Sequence, residues 1–208
     1  REYAYWLDQS GNNNDWTSNN LTESDISVDS PTNNFPTWNP LSRGLQSTNL
    51  TFSEGNTKVS IVGDNLSRIA YSSFNLPSTG KWYWEVYQQA GSNGVIGISD
   101  SASQRQDVTD VNFNVNGWSY DYSGAKVDHS SWTGSWGSTF VAGDIIGVAV
   151  DMDDGEIWFA KNNTWQASGN PSTGSTPAYS NVTGDDITPA VSDASGAVQT
   201  FIANFGQD

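Results

Sequence analysis

Short apolar segments with glycine at their margins fill the second half of the chain, and this pattern restricts the possible folds more than any other feature. In residues 148–159, apolar residues run up to the Asp154-Gly155 pair and resume after it, which is the pattern of a β-hairpin. No helical periodicity longer than a turn or two occurs along the chain. The pattern therefore predicts an all-β protein.

Further strands are predicted on both sides of this hairpin. Residues 50–52 and 58–62 alternate in polarity across Glu54-Gly55-Asn56, which predicts a second hairpin. We expect residues 68–71 to follow as a strand, and residues 198–205 to close the domain as the last one.

Large aromatic side chains occupy both faces of the predicted strand at residues 81–87. Trp82 and Trp84 point to one face and Tyr83 to the other, which predicts a strand in the middle of its sheet. We expect Trp82, Trp84 and Trp158 to lie in the core, where each large ring removes on the order of 150–250 Å² from water.

The first 46 residues differ from the rest, because Asn-rich stretches and repeated prolines interrupt any regular element. We predict an extended Pro/Asn-rich arm over residues 1–46 and one β-sandwich domain over residues 47–208. The arm should be held in place by Phe35, Trp38 and Leu41.

Four strand-like segments carry a resemblance to a known family. In chain order they are residues 80–86, 94–98, 143–151 and 204–207. In this order and at these separations they resemble a SPRY domain over about residues 50–208. The resemblance implies a two-sheet antiparallel β-sandwich of the concanavalin A-like jelly-roll type, which binds partners through its loops and is not an enzyme.

The arm resembles a segment that often precedes lectin-like or SPRY-like domains in virion proteins of tailed bacteriophages. This implies a tail-fibre, adhesin or surface-decoration component at the virion surface. The expected partners are other virion subunits and a host-surface glycan or protein, and the sequence leaves open whether the chain forms a homo-oligomer. A purely structural role in virion assembly is the alternative, and a carbohydrate-active enzyme is less favoured.

Three long polar stretches separate the predicted strands, at about residues 99–116, 123–143 and 162–186. Long loops in a compact domain are usually functional or disordered. In the SPRY family such loops gather beside one face and form the partner site.

Tryptophan residues in two of these loops lie among Ser, Gly, Asn and Thr. Such indoles can stack on sugar rings or anchor a protein partner, although they can instead fold back to cover the ends of the sandwich. The candidate contact residues are Trp132, Trp136, Trp165, His129 and Asn163.

Charge and composition exclude several classes of function. The formal net charge is −15, with 8 Lys and Arg against 23 Asp and Glu, whereas a nucleic-acid binder needs a basic patch. No apolar run approaches the roughly 18 residues of a membrane span. Without cysteine, no disulfide or thiolate metal site can form. We predict no nucleic-acid partner and no membrane insertion.

Catalytic and metal-binding chemistry is poorly supported. A sugar hydrolase needs two carboxylates about 5–9.5 Å apart in a cleft, and Glu85, the candidate on a sheet face, has no evident partner. His129, the only histidine, has no nucleophile elbow near it. The acidic residues after Asp151 do not form the 12-residue loop of a calcium-binding EF-hand. Asp and Gly are expected there because they favour a tight turn between strands. We therefore predict no catalytic residue, no metal and no cofactor.

Overall fold

The described residues form two antiparallel β-sheets of seven strands each, which confirms the predicted all-β sandwich. The computed structural model describes residues 8, 10–15, 17, 19–20, 34–43, 49–62, 68–100, 117–128, 131–194 and 198–207.

The strands follow in chain order: β1 (Trp38–Arg43), β2 (Leu50–Ser53), β3 (Lys58–Ile61), β4 (Ile69–Ser72), β5 (Lys81–Ala90), β6 (Gly94–Asp100), β7 (Gly117–Asp121), β8 (Lys126–Asp128), β9 (Ser131–Thr133), β10 (Ile145–Asp151), β11 (Glu156–Lys161), β12 (Thr164–Trp165), β13 (Ile187–Asp193) and β14 (Gln199–Asn204).

The order of the strands confirms the predicted hairpins. The first sheet is β1-β4-β13-β6-β7-β8-β9, and the second is β12-β11-β10-β5-β14-β3-β2. Strands β2 and β3 pair directly, as do β10 and β11. Strand β5 is the fourth of seven, so its two aromatic faces indeed mark a central strand. The last strand, β14, lies between β5 and β3.

The core lies between the two sheets. The ring centroids of Tyr120 in β7 and Phe159 in β11 are 5.6 Å apart, so these strands face each other across the sandwich. Each large apolar side chain buried there contributes about 1.5–3 kcal/mol relative to an exposed one. Other core residues are Trp38, Ile61, Trp84, Val86, Ile96, Ile98, Trp118, Phe140, Ile146, Val148 and Phe201.

The three strand tryptophans have different environments. Trp84 is buried between the sheets, as predicted. Trp82 is 39% exposed, and the prediction that it lies in the core is wrong. Its side chain is on the same face as that of Trp84, but near the end of β5, where its indole N–H donates to the Thr79 carbonyl at 3.2 Å. Trp158 is buried, but on the outer face of the second sheet, because it alternates with Ile157 and Phe159 of the core.

The end of the predicted arm belongs to a sheet of its own chain. Strand β1 pairs with β4 at the edge of the first sheet. Trp38 is fully buried and meets the Phe205 ring edge-to-face at 5.5 Å, in agreement with the expectation that it holds the segment. Leu41 is 92% exposed and does not hold it.

Two stretches predicted as loops contain short strands. Strands β8 and β9 lie within residues 123–143, and β12 lies within residues 162–186. In the remaining predicted loop, at residues 99–116, residues 101–116 lie outside the described residues. In the part of the chain that the structure describes, no helix is long and apolar enough to cross a membrane.

We predict that Gly97→Ala destabilises the sandwich strongly, because β6 and β7 approach too closely for a side chain there. A Cβ at Gly97 would collide with the Trp118 carbonyl oxygen and lie 2.8 Å from the Ser119 Cα, and neither backbone atom can move cheaply. Overpacking of this kind costs about 1–3 kcal/mol or more. Gly147→Ala is the control, since the nearest atoms to its Cβ would belong to the Tyr83 side chain, at 2.8–3.4 Å, and a half-exposed side chain can shift at lower cost than backbone. Equal losses in the free energy of unfolding of the two variants, measured by urea denaturation, would contradict the prediction.

Candidate functional site

A depression on the outer face of the second sheet forms where strand β10 carries very small residues. Tyr83 in β5 and Trp158 in β11 flank Ala149 directly on either side. Residues opposite each other in neighbouring strands share a face, so these three form one row across the sheet. The methyl group of Ala149 leaves a gap between the two rings.

The neighbouring row makes room for the Tyr83 ring and carries Trp165. It contains Glu85, Gly147, Ala160 and Trp165, which pair in that order across β5, β10, β11 and β12. Since a Cβ at Gly147 would lie 2.8 Å from the Tyr83 hydroxyl oxygen, the glycine leaves the space above the sheet that the phenol ring occupies.

The resulting cavity, here named the aromatic trough, has a volume of about 280 Å³. Tyr83, Trp158 and Trp165 line it together with Pro171 and Ser172. The third row, Lys81 opposite Asp151, borders it on the side away from Trp165.

Tyr83 is the most accessible ring of the aromatic trough, with 53% of its surface exposed. Its centroid lies 6.3 Å from that of half-buried Trp165, with the two planes at 68°. The Tyr83 hydroxyl donates to Glu85 Oε1 at 2.6 Å. Partial burial, and secondarily this carboxylate, raise the pKa of the Tyr83 phenol well above its usual range. The hydrogen bond to Glu85 orients the phenol.

An ion pair between Lys81 and Asp151 forms the polar border of the trough. Asp151 Oδ2 accepts from Lys81 Nζ, and Oδ1 accepts from the backbone N–H groups of Asp153 and Asp154 at 3.1 and 3.3 Å. The bond from Lys81 is the main reason that the pKa of Asp151 lies below its usual value. The Asp151 side chain is buried, whereas that of Lys81 is 68% exposed.

The wall that carries Trp165 has a constrained backbone. Asn162 and Asn163 turn between β11 and β12 with φ of 47° and 63°, and Asn163 is exposed there. Ala167 and Ser168 also have positive φ, at 51° and 61°. Each such non-glycine residue costs on the order of 1–3 kcal/mol, so surrounding contacts must enforce the conformation.

Buried Gln166 supplies those contacts. Its Oε1 accepts from the Ser138 backbone N–H at 2.8 Å, and its Nε2 donates to the Thr164 carbonyl at 2.7 Å. The Ser138 carbonyl in turn accepts from the Tyr120 hydroxyl. The trough wall is thus tied to the core through the neighbouring loop.

The structure does not bring the three candidate loop tryptophans together. Trp132 is 61% exposed on edge strand β9, and it pairs with Val127, which pairs with Ser119. Because Ser119 alternates with core residue Tyr120, Trp132 lies on the outer face of the first sheet. Trp165 lies on the outer face of the second.

Trp136 packs against core side chains instead. Its ring centroid is 5.5 Å from that of Tyr120 and 6.2 Å from that of Phe159, with both pairs edge-to-face. Lys126 Nζ lies 6.0 Å from the Trp136 ring centroid. Trp136 therefore packs over the core, which is the alternative to ligand binding for a loop tryptophan. The remaining candidate, His129, lies outside the described residues.

Sequence reasoning did not single out Tyr83, Lys81 or Ala149 as site residues. The alternation of residues 81–87 places Tyr83 on the face away from Trp84. The signal that marks a depression there is the pair of small residues, Gly147 and Ala149, on the adjacent strand. Only the register of β5 against β10 shows that Tyr83 and Ala149 are opposite each other.

Within the described residues, no group of three or more His, Cys, Asp or Glu side chains could hold a metal ion. The acidic turn after Asp151 instead uses its carboxylate to accept from the backbone.

The molecule is thus a β-sandwich that presents an aromatic depression on one outer face. The family model of the SPRY domain matches residues 81–208, which is more than half of the chain, and the chain belongs to the SPRY family. No curated protein sequence matches it.

Solved structures agree on the fold. The SPRY domain of human HERC1 is similar with a TM-score of 0.63 and 19% identity, over 82% of this chain and 99% of that one. Another human SPRY domain has a TM-score of 0.54 and 16% identity, over 77% and 98%.

We predict that Trp136→Leu lowers the free energy of unfolding by about 2 kcal/mol, because it removes ring contacts with Tyr120 and Phe159. The matched change Trp132→Leu should stay within about 0.5 kcal/mol, as exposed substitutions usually do. Urea denaturation followed by circular dichroism measures both. The reverse ranking would contradict the described positions of the two indoles.

We predict that Asp151→Asn makes the free energy of unfolding fall less steeply as the pH is lowered into the acidic range. The folded pKa of Asp151 is lowered, so its contribution is present above the unfolded value of about 3.9 and is lost as the pH falls through the lower folded value. Asparagine keeps the acceptor for the turn but loses the charge. Lys81→Met should remove much of the same slope. Urea midpoints measured from pH 6 to pH 2 test this, and unchanged slopes in both variants would contradict it.

Proposed function

We propose that this chain is a non-catalytic recognition module of a tailed-bacteriophage virion, which binds a host-surface glycan or protein. The aromatic trough is the observation that carries the proposal. It presents Tyr83 to solvent from a central strand, beside half-buried Trp165. Exposed aromatic rings on a rigid support are typical of binding surfaces, since little side-chain entropy is lost on contact.

The virion setting is supported by the resemblance of residues 1–46 to segments of phage virion proteins. The proposed role is that of a tail-fibre, adhesin or surface-decoration component at the virion surface, in contact with other virion subunits. A shallow trough of this size supports weak binding by one copy, and several copies on one particle would raise the avidity.

The carboxylates beside the trough support binding over hydrolysis. A glycosidase acid needs a raised pKa, whereas the pKa of Asp151 is lowered by its bond from Lys81. Glu85 accepts from Tyr83, two rows away from Asp151. Both groups hold neighbouring side chains in place.

Edge strand β9 favours a second candidate function, that of a structural assembly subunit. Ser131, Trp132 and Thr133 are all exposed, and β9 ends the first sheet. A sheet edge can accept a strand from another chain, and Trp132 would then anchor that contact.

The proposal predicts that the purified chain, labelled with a fluorophore, binds to a panel of bacterial cells, glycans and surface proteins. Tyr83→Leu should weaken that binding roughly tenfold or more, equivalent to about 1.4 kcal/mol. Trp132→Leu, the matched change on the opposite face, should leave it unaltered.

A purely structural assembly function, without recognition, predicts a different result. The chain would then form concentration-dependent oligomers in analytical ultracentrifugation, Trp132→Leu would disperse them, and the panel would give no binding. That result would reject the recognition function.

A further inference from the structure

We infer that the aromatic trough binds one neutral pyranose ring, stacked on Tyr83 and hydrogen-bonded at its edge by Lys81. The inference rests on the proposed recognition function and names its ligand class. It is carried by four features: the rings, the size of the cavity, its polar groups and the charge around it.

The rings offer a stacking surface of the correct kind. The face of an aromatic ring is electron-rich, and the axial C–H groups of a pyranose carry a small positive charge. Tyr83 is exposed, and its hydroxyl is held by Glu85. Trp165 stands at 68° to it, so the two rings form a corner and cannot sandwich a flat ligand between them.

The size of the trough suits a single sugar ring. Pockets for drug-sized ligands measure about 300–1,000 Å³, and the trough, at about 280 Å³, is slightly smaller than that range. The ion-paired row of Lys81 and Asp151 borders it on one side and Trp165 on the other.

Polar groups at the border can bind hydroxyl groups, which both donate and accept. The Lys81 ammonium carries three N–H donors, uses one on Asp151, and is largely exposed. The Ser172 hydroxyl donates to Asn170 Oδ1 at 2.7 Å, which leaves its own lone pairs as acceptors. The Asp151 carboxylate is already engaged by Lys81 and two backbone N–H groups.

Charge selects against acidic sugars. The charge of Lys81 is paired with that of Asp151. Further carboxylates lie nearby, since Glu85 is two rows from Lys81 on the sheet. Asp153 Oδ1 accepts from the Gly80 backbone N–H at 3.0 Å, and the chain carries −15 overall. A uronic or sialic acid would enter a repulsive potential, whereas a neutral ring would not.

The sheet disfavours a peptide in the same place. A peptide that adds as a strand needs an unpaired edge. Strands β5, β10 and β11, which form the floor, each have a partner on both sides. Most of their backbone hydrogen-bonding groups are used within the sheet, so side chains are the main groups that a ligand can contact.

The experiment is a titration of the ¹⁵N-labelled chain with methyl pyranosides, monitored through the indole N–H signals. The probes are the neutral gluco-, galacto-, manno- and N-acetylglucosamine methyl glycosides, and methyl glucuronide as the charged counterpart. At least one neutral probe should shift the Trp165 and Trp158 signals with a dissociation constant of about 1–10 mM, the weak range of a single site. Methyl glucuronide should bind at least fivefold more weakly.

Variants locate the binding. Tyr83→Leu should abolish the shifts and Lys81→Met should weaken binding about fivefold, whereas Tyr83→Phe keeps the ring and should bind within about twofold of the native chain. Trp132→Leu is the control on the opposite face and should bind normally. The amide spectrum of each variant shows that it is folded.

Three outcomes overturn the inference: no neutral probe shifts the Trp165 signal, the glucuronide binds as tightly as the neutral sugars, or Tyr83→Leu binds like the native chain. The proposed function fails separately. If cells or surface proteins are still bound while the sugars are not, recognition stands and the pyranose site is rejected. If nothing on the wider panel is bound, both are rejected.

Discussion

The hydrogen bond from the Tyr120 hydroxyl to the Ser138 carbonyl connects the core of the sandwich to its surface site. The Tyr120 ring is part of the packing between the sheets, where it meets Phe159 at 5.6 Å. The Ser138 backbone N–H then donates to Gln166, which fixes the turn next to Trp165. Burial of one aromatic ring therefore determines the position of another on the outer face. The strained backbone at Ala167 and Ser168 can persist because this connection enforces it.

The depression itself depends on side chains that are small or missing. Strand β10 carries large apolar residues toward the core and only Gly147 and Ala149 beside Tyr83 on the outer face. A larger residue at either position would fill the space that Tyr83 and the cavity occupy. The alternation of side chains along β10 therefore determines both the core and the depression, because large residues point toward the core and small residues point to the outer face.

Sequence patterns predicted the sheets well and the site in part. The Asp154-Gly155 hairpin and the central position of β5 follow from local turn chemistry and a period of two, which act over a few residues. Whether a face is covered depends on distant segments. Trp158 is buried on an outer face because a later segment packs against it: its indole N–H donates to the Ser175 carbonyl at 2.9 Å, and a Cβ at Gly169 would lie 2.9 Å from its ring. No periodicity contains these contacts. Trp132 and Trp136 are only four residues apart, yet Trp132 lies on the outer face of the first sheet and Trp136 packs against the core, while Trp165 lies on the outer face of the second sheet.

The separation of Trp132 from the aromatic trough bears on how recognition and assembly can coexist. One flat aromatic surface serves one partner at a time, so a domain with a single surface would have to be either a binder or a building block. Here Trp132 lies on β9, the last strand of the first sheet among the described residues, and Tyr83 lies in the middle of the second sheet. The sandwich is two sheets thick between them, and sheets pack about 10 Å apart. A neighbour that added a strand along β9 would cover Trp132 and leave Tyr83 open to solvent. The two candidate functions therefore use different faces, and attachment through one is compatible with recognition through the other.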